Sequence, residues 1–167
     1  MSQARTRNEA DTRADLIDPK LVAAGWGEVD NSFIRRELIC PGQIMAGGKR
    51  ANKVPCDYVL VYKGRKLAAA EAKKESLTYS EGVRQAKDYA QRLQCRIAYA
   101  TNGHDIYQID MLTGVETLVD EYLSPQALWD LTFEQKGDTP EAAFTTAWRD
   151  AFSSIPFEAK GDWAPRY

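Results

Sequence analysis

Two carboxylates and one lysine, Asp57, Glu71 and Lys73, have the types and spacing needed for metal-dependent hydrolysis. Glu71 and Lys73 are two positions apart, so in a β-strand both side chains lie on one face. Mg²⁺ prefers oxygen ligands, and Mn²⁺ can substitute for it. A bound metal ion lowers the pKa of its water, and a nearby lysine can orient or deprotonate that water. The trio therefore predicts phosphodiester hydrolysis; the alternative is a surface ion pair worth at most about 1 kcal/mol.

A tight hairpin would bring these three residues together. Residues 56–62 are rich in β-branched and aromatic side chains, and Gly64 begins a turn into the apolar stretch 66–73. If the two strands pair antiparallel about Gly64, the residue opposite Asp57 is Glu71. The pattern therefore predicts that both carboxylates and Lys73 converge at the open end of the hairpin.

The remaining periodicities predict an α/β (mixed α+β) fold with a central mixed sheet flanked by helices. The expected order is α-β-β-β-α-β-β, followed by C-terminal helices. Helical patterns cover 6–24, 80–93, 125–133 and 140–153, strand patterns cover 32–40, 96–101 and 105–110, and the Gly-rich basic stretch 41–53 predicts a loop. We expect one domain over residues 1–154 and a linker over 155–167.

The charge is unevenly distributed, although the net charge is only −2. Residues 33–74 contain ten Lys or Arg and three acidic residues, whereas residues 105–167 contain four basic and twelve acidic residues. A basic region in an acidic frame favours one positive face for phosphate binding. The alternative is that these charges are scattered over several faces.

Several classes of protein are disfavoured by the sequence. No apolar run approaches the roughly 20 residues needed to cross a bilayer, and the polar N-terminus does not resemble a secretory signal. The three cysteines form no CxxC pair, which argues against a zinc site and favours a reducing compartment. The stretch 42–50 approximates a phosphate-binding P-loop, but Arg50 stands where Ser or Thr is required. We expect a cytoplasmic protein with no membrane partner and no ATP site in this chain.

The trio and its surroundings resemble the PD-(D/E)XK nuclease superfamily, in which an Asp and an E-x-K motif lie on neighbouring strands. Gln85 and Tyr89 have the Q-x-x-x-Y spacing of its RecB-like branch, and residues four apart share one face of a helix. The resemblance implies that Gln85 and Tyr89 belong to the catalytic site with Asp57, Glu71 and Lys73. It also implies that Glu9 joins Asp57 and Glu71 as a metal ligand; the alternative is an exposed acid at a helix start.

A longer series of segments resembles the N-terminal endonuclease domain of the type I restriction enzyme R (motor) subunit. The segments are NEADTR at 8–13, LIDP at 16–19, DYVL at 57–60, EAKK at 71–74, QAKDYA at 85–90, ATNG at 100–103 and IYQID at 106–110. The resemblance covers about residues 8–124, and the ordered series is more specific than any one segment. One departure is Cys56, which separates Pro55 from Asp57 and breaks the literal P-D pair.

This resemblance implies an Mg²⁺-dependent cleavage module for double-stranded DNA. It implies a helicase motor domain that follows residues 155–167 in the same parent chain, and partner methyltransferase and specificity subunits that recognise the sequence. Contacts from this chain to the DNA backbone would then position the DNA without reading bases. The candidates are Lys49, Arg50, Lys53, Lys74, Arg84 and Lys87. Two alternatives are a PD-(D/E)XK repair nuclease and a non-catalytic docking or coupling module of a DNA motor.

Overall fold

The computed structural model describes residues 7–40 and 54–133. Helical residues come first: α1 (Glu9–Thr12), a π-helical turn (Arg13–Ile17) and α2 (Asp18–Ala23). They are followed by strands β1 (Ser32–Cys40), β2 (Val54–Tyr62) and β3 (Arg65–Ala72), helix α3 (Ser80–Leu93), strands β4 (Ile97–Thr101), β5 (Ile106–Asp110) and β6 (Glu116–Val119), and helix α4 (Pro125–Phe133). The expected mixed α/β fold and element order are confirmed, with β6 as an addition.

The six strands form one sheet in the order β1-β2-β3-β4-β5-β6. Every neighbouring pair is antiparallel except β3 and β4, which are parallel. A parallel pair needs a crossover connection, and α3 provides it. The architecture is therefore a mixed sheet with a crossover helix next to the strand that carries Glu71.

Strand β3 is central and built from small residues. Ala68, Ala69, Ala70 and Ala72 are fully buried. A sheet covered on both faces needs a nearly continuous apolar strand, and alanine lets the covering helix approach closely. Helix α3 lies close to the end of β3 at Gly82, where an added Cβ would lie 3.1 Å from Glu71 Cγ. Helix α3 faces the sheet with the buried residues Ala86, Tyr89, Ala90 and Leu93.

Some expected features lie outside the described residues. These are the loop 41–53, the helix 140–153, the boundary at 154 and the linker 155–167. By compactness the chain divides into residues 1–132 and residues 133–167. Within the described residues, no helix is long and apolar enough to span a membrane.

The N-terminal helical residues are attached to the end of β3 and to the turn after β4. Thr12 is fully buried, and its hydroxyl accepts a hydrogen bond from the Glu75 backbone N–H at 3.1 Å. Gly103 lies beneath Leu16 with φ +90°, and an added Cβ would be only 2.7 Å from Leu16 Cβ. Glycine is therefore required at position 103 for both its backbone conformation and its lack of a side chain.

Gly103→Ala should lower the free energy of unfolding by about 3 kcal/mol, because left-handed strain and overpacking against Leu16 add together. Gly114→Ala is the matched control. It has a similar φ of +73° with nothing within 4 Å of an added Cβ, so it should cost only about 1 kcal/mol. Urea unfolding measures both; equal losses would show that the contact with Leu16 is not restrictive.

Candidate active site

The pairing of β2 with β3 places Asp57 beside Glu71. Tyr58 pairs with Ala70 in the antiparallel ladder, and the next pair in that register is Asp57 with Glu71. Asp57 Oδ2 accepts a hydrogen bond from the Ala72 backbone N–H at 2.8 Å. The two carboxylates therefore face each other where the hairpin opens, as the hairpin pattern predicts.

Each carboxylate has its own cationic partner. Arg13 Nη1 lies 3.2 Å from Asp57 Oδ1, and Lys73 Nζ lies 2.7 Å from Glu71 Oε1. Lys73 Nζ also donates to Gln85 Oε1 at 2.7 Å. Lys73 is thereby held between β3 and α3, with its ammonium group at the edge of the acid pair.

Burial perturbs the acid–base chemistry of Glu71, whose side chain is only 6% exposed. Burial raises the pKa of Glu71 to about 7; the hydrogen bond from Lys73 opposes this shift, and the neighbouring Asp57 carboxylate adds to it. A positive charge between the two carboxylates would relieve both the burial cost and the repulsion. Asp57 and Glu71 are therefore chemically suited to hold a divalent cation.

The number of protein ligands also fits magnesium. Among the described residues, no group of three or more His, Cys, Asp or Glu side chains is arranged to hold a metal ion. Mg²⁺ commonly binds through one or two carboxylates and completes its shell with water and substrate phosphate. Asp57 and Glu71 would supply two such carboxylates.

The structure does not bring Glu9 into a group with the other two acids. Glu9 begins α1 and is half-buried, and its carboxylate forms no hydrogen bond or ion pair with another described residue. Its place in a metal site stays a prediction from the resemblance.

Gln85 and Tyr89 share the α3 face nearest the acid pair. Gln85 is exposed and contacts Lys73, whereas Tyr89 is 3% exposed within the core. Burial, and next the Glu71 carboxylate, raise the pKa of Tyr89 to about 12. Tyr89 therefore keeps its proton at neutral pH and packs in the core, while Gln85 accepts a hydrogen bond from Lys73.

The predicted DNA-contacting residues are in several environments. Lys49, Arg50 and Lys53 lie outside the described residues. Lys74 and Arg84 are exposed, and Lys87 forms an ion pair with Glu116 of β6. Arg84 and Gln85 line an open groove of about 480 Å³ with Asp88 and Arg92. Arg84 is thus the predicted contact nearest to the candidate catalytic residues along α3.

Sequence reasoning missed Arg13. It lies four residues after Glu9, in the segment NEADTR, yet only the folded chain shows its contact with Asp57, 44 positions away. The π-helical turn begins at Arg13, with the Asp18 N–H bonded to the Arg13 carbonyl. Such turns often occur at functional sites. That the partner of Arg13 is Asp57 follows only from the folded structure.

The mixed sheet, the acid pair on one hairpin and the lysine held by the crossover helix define a PD-(D/E)XK nuclease-like core. No protein-family model matches the chain. The endonuclease subunit of the type I restriction enzyme EcoAI from Escherichia coli is 31% identical over an alignment 143 residues long. The alignment covers 78% of this chain and 17% of that protein. A solved fragment assigned to the HsdR subunit of a type I restriction enzyme from Vibrio vulnificus YJ016 superposes with a TM-score of 0.69 at 33% identity.

The chain is therefore a homologue of the endonuclease (HsdR) subunit of type I restriction enzymes. It spans only 17% of the length of the curated relative. The match to the solved fragment covers 83% of this chain and 28% of the fragment. The relationship thus concerns one part of the larger related subunit.

Glu71→Gln should remove a pH-dependent loss of stability. Because the pKa of Glu71 is raised from 4.5 to about 7 on folding, its ionisation disfavours the folded state. The penalty is absent below about pH 4.5 and complete above about pH 7. Urea unfolding between pH 4 and pH 8 should show the variant gaining stability over the parent as the pH rises. The exposed Glu28→Gln is the control; a parallel curve for Glu71→Gln would contradict the assigned burial cost.

Proposed function

We propose that this chain is the endonuclease module of a type I restriction-modification R subunit and hydrolyses phosphodiester bonds of double-stranded DNA with Mg²⁺. The observation that carries the proposal is the position of Lys73 Nζ, 2.7 Å from both Glu71 Oε1 and Gln85 Oε1. A surface ion pair would not need a buried glutamate opposite a second carboxylate. That arrangement suits a metal ion and a phosphate.

Asp57 and Glu71 are the proposed metal ligands. When bound there, a magnesium ion would polarise a phosphoryl oxygen and lower the pKa of its water. The Ala72 N–H donates to Asp57 Oδ2, and the other oxygen, Oδ1, accepts from Arg13 Nη1. Glu71 is held by Lys73, so both oxygen donors are positioned before a ligand arrives. Such preorganisation lowers the cost of assembling the charged site.

Lys73 is the proposed group that orients or deprotonates the attacking water, or stabilises charge in the transition state. Gln85 determines where its ammonium group lies. Removal of Gln85 would leave Lys73 with Glu71 alone, so Gln85 is a positioning residue. Tyr89 supports the packing of α3 on β3. We expect that Mn²⁺ can replace Mg²⁺ at the same two carboxylates.

Recognition of a DNA sequence is assigned to other components. Lys74, Arg84 and Lys87, with Lys49, Arg50 and Lys53, are the proposed contacts to the DNA backbone, and such contacts position a duplex without specifying its sequence. The proposed partners are the helicase motor domain of the parent chain, which carries the ATP site, and the methyltransferase and specificity subunits. We expect the assembled enzyme to act in the cytoplasm.

Lys73→Ala should reduce cleavage of supercoiled plasmid by about 100-fold or more in Mg²⁺ or Mn²⁺, because the water loses its orienting group. Arg65→Ala is the matched control: it removes one exposed positive charge from the same strand, β3, at the turn end. Gel quantification of nicked and linear products gives the rates for the isolated chain and for the whole subunit assembled with its partners.

Loss of cutting in Lys73→Ala, with the control unchanged, would support the proposed role. Equal cutting by all three isolated proteins would point to a different site or a contaminant. If the full assembly cuts normally with Lys73→Ala, this chain is a non-catalytic docking or coupling module. The assembly experiment therefore decides the question even if the isolated chain is inactive.

Lys74→Ala and Arg84→Ala should each weaken binding to a DNA duplex equally for two unrelated sequences. Each lost phosphate contact should reduce the slope of log K against log salt by about 0.9. Fluorescence anisotropy in Ca²⁺, with Arg65→Ala again as the control, measures these slopes. An unchanged slope would remove that residue from the DNA interface, and a loss confined to one sequence would indicate base contacts instead.

A further inference from the structure

Three acidic residues occupy one row across three neighbouring strands. In the β1–β2 register Arg36 pairs with Tyr58 and Leu38 with Cys56, so Glu37 stands opposite Asp57. Extending the β2–β3 register by one residue beyond the Tyr58–Ala70 pair puts Glu71 opposite Asp57. Like charges directly opposite each other destabilise a sheet. A positive charge is therefore needed near the cross-strand pair of Glu37 and Asp57, as well as near Glu71.

Arg13 provides that compensation. Its Nη1 lies 3.2 Å from Asp57 Oδ1 and 3.9 Å from Glu37 Oε1. The exposures differ greatly: the Asp57 side chain is 16% exposed and that of Glu37 is 71% exposed. One guanidinium thus lies within reach of a half-buried acid at the candidate metal site and an acid in solvent.

Local backbone irregularities accompany both partners of this contact. Arg13 begins the π-helical turn, and Glu37 has a left-handed φ of +52° in the middle of β1. A non-glycine residue in that conformation is strained and persists only where the surroundings enforce it. The strain occurs at the row position that faces Arg13.

The surrounding groove leaves Arg13 room to move. Arg13 and Glu37 line an open groove of about 360 Å³ together with Asp18, Arg36 and Tyr58. The other acid, Asp18, already pairs with Arg36 at 2.6 Å and accepts from the Tyr58 hydroxyl at 2.8 Å. Among the described residues of this groove and its border, Asp57 and Glu37 are therefore the acceptors within reach of Arg13.

We propose that Arg13 is an exchangeable counter-ion: it neutralises Asp57 while the metal site is empty and transfers to Glu37 when a divalent cation binds Asp57. The inference rests on the proposed function because it uses Asp57 as a metal ligand. It adds two positioning residues, Arg13 and Glu37, that act through Asp57 and do not contact the reacting atoms. Arg13 competes with the metal, and Glu37 lowers the cost of its departure.

Direct Mn²⁺ binding to the whole chain, without DNA, tests the exchange. Arg13→Gln removes the competing charge and should lower the Mn²⁺ dissociation constant by about tenfold, whereas Glu37→Gln should raise it by about threefold. In the double variant the effect of Glu37→Gln should nearly vanish, because no guanidinium needs a second partner. Arg13→Lys keeps the charge and should bind Mn²⁺ much as the parent does.

Electron paramagnetic resonance of free Mn²⁺ gives the constants, and thermal unfolding checks that each variant is folded. Weaker binding by Arg13→Gln would show that Arg13 organises the site without competing for it. If Glu37→Gln had the same effect in the parent and in the Arg13→Gln variant, Glu37 would act on the metal ion directly by its charge, without any exchange of Arg13. Either of these two results would overturn the proposal. If Asp57→Asn leaves Mn²⁺ binding unchanged, the metal site itself fails, and the proposed function fails with it.

Discussion

The register between β2 and β3 is the constraint on which the candidate site depends. A slip of one residue would turn every side chain of β3 to the opposite face of the sheet. At the open end of the hairpin the Ala72 N–H bonds to Asp57 Oδ2, which holds β3 against β2. The Lys73 N–H bonds to the Thr101 carbonyl, which holds the end of β3 against β4. The first bond orients an acid and also closes the hairpin, so local stability and site geometry come from one contact.

The sequence pattern predicts the correct Asp57–Glu71 pairing, but two structural features cancel to produce it. The turn consists of Lys63 and Gly64, both with positive φ, so pairing starts between Tyr62 and Arg65 instead of symmetrically about Gly64. An irregularity between Leu60 and Val61 then shifts the register by one position. Period-two patterns reveal which residues share a face, but a bulge leaves no clear trace in them.

Other features could not be read from the chain because they depend on long-range placement. Strand β6 has four mostly exposed residues, so it lacks the apolar alternation that marks β5. The contact of Arg13 with Asp57 and the alignment of Glu37 in the acidic row require the sheet order as well as the strand assignments. In contrast, the bounds of β1, α3 and α4 agree with their patterns, because each alternates buried and exposed positions with a clear period or ends at a strong local signal.

Charge balance links the acidic row to the proposed chemistry. In the absence of metal, the positive charges of Arg13 and Lys73 offset the negative charges of Asp57 and Glu71. The carboxylate of Glu37 is largely exposed to solvent. With Glu37 counted as well, the five ionised side chains sum to −1. A divalent cation would bring this sum to +1, and one DNA phosphodiester would then bring it to zero. Binding of the metal ion alone, or of DNA alone, would therefore leave the site with a net charge different from zero. If the proposed function holds, this charge count would favour binding of metal and DNA together.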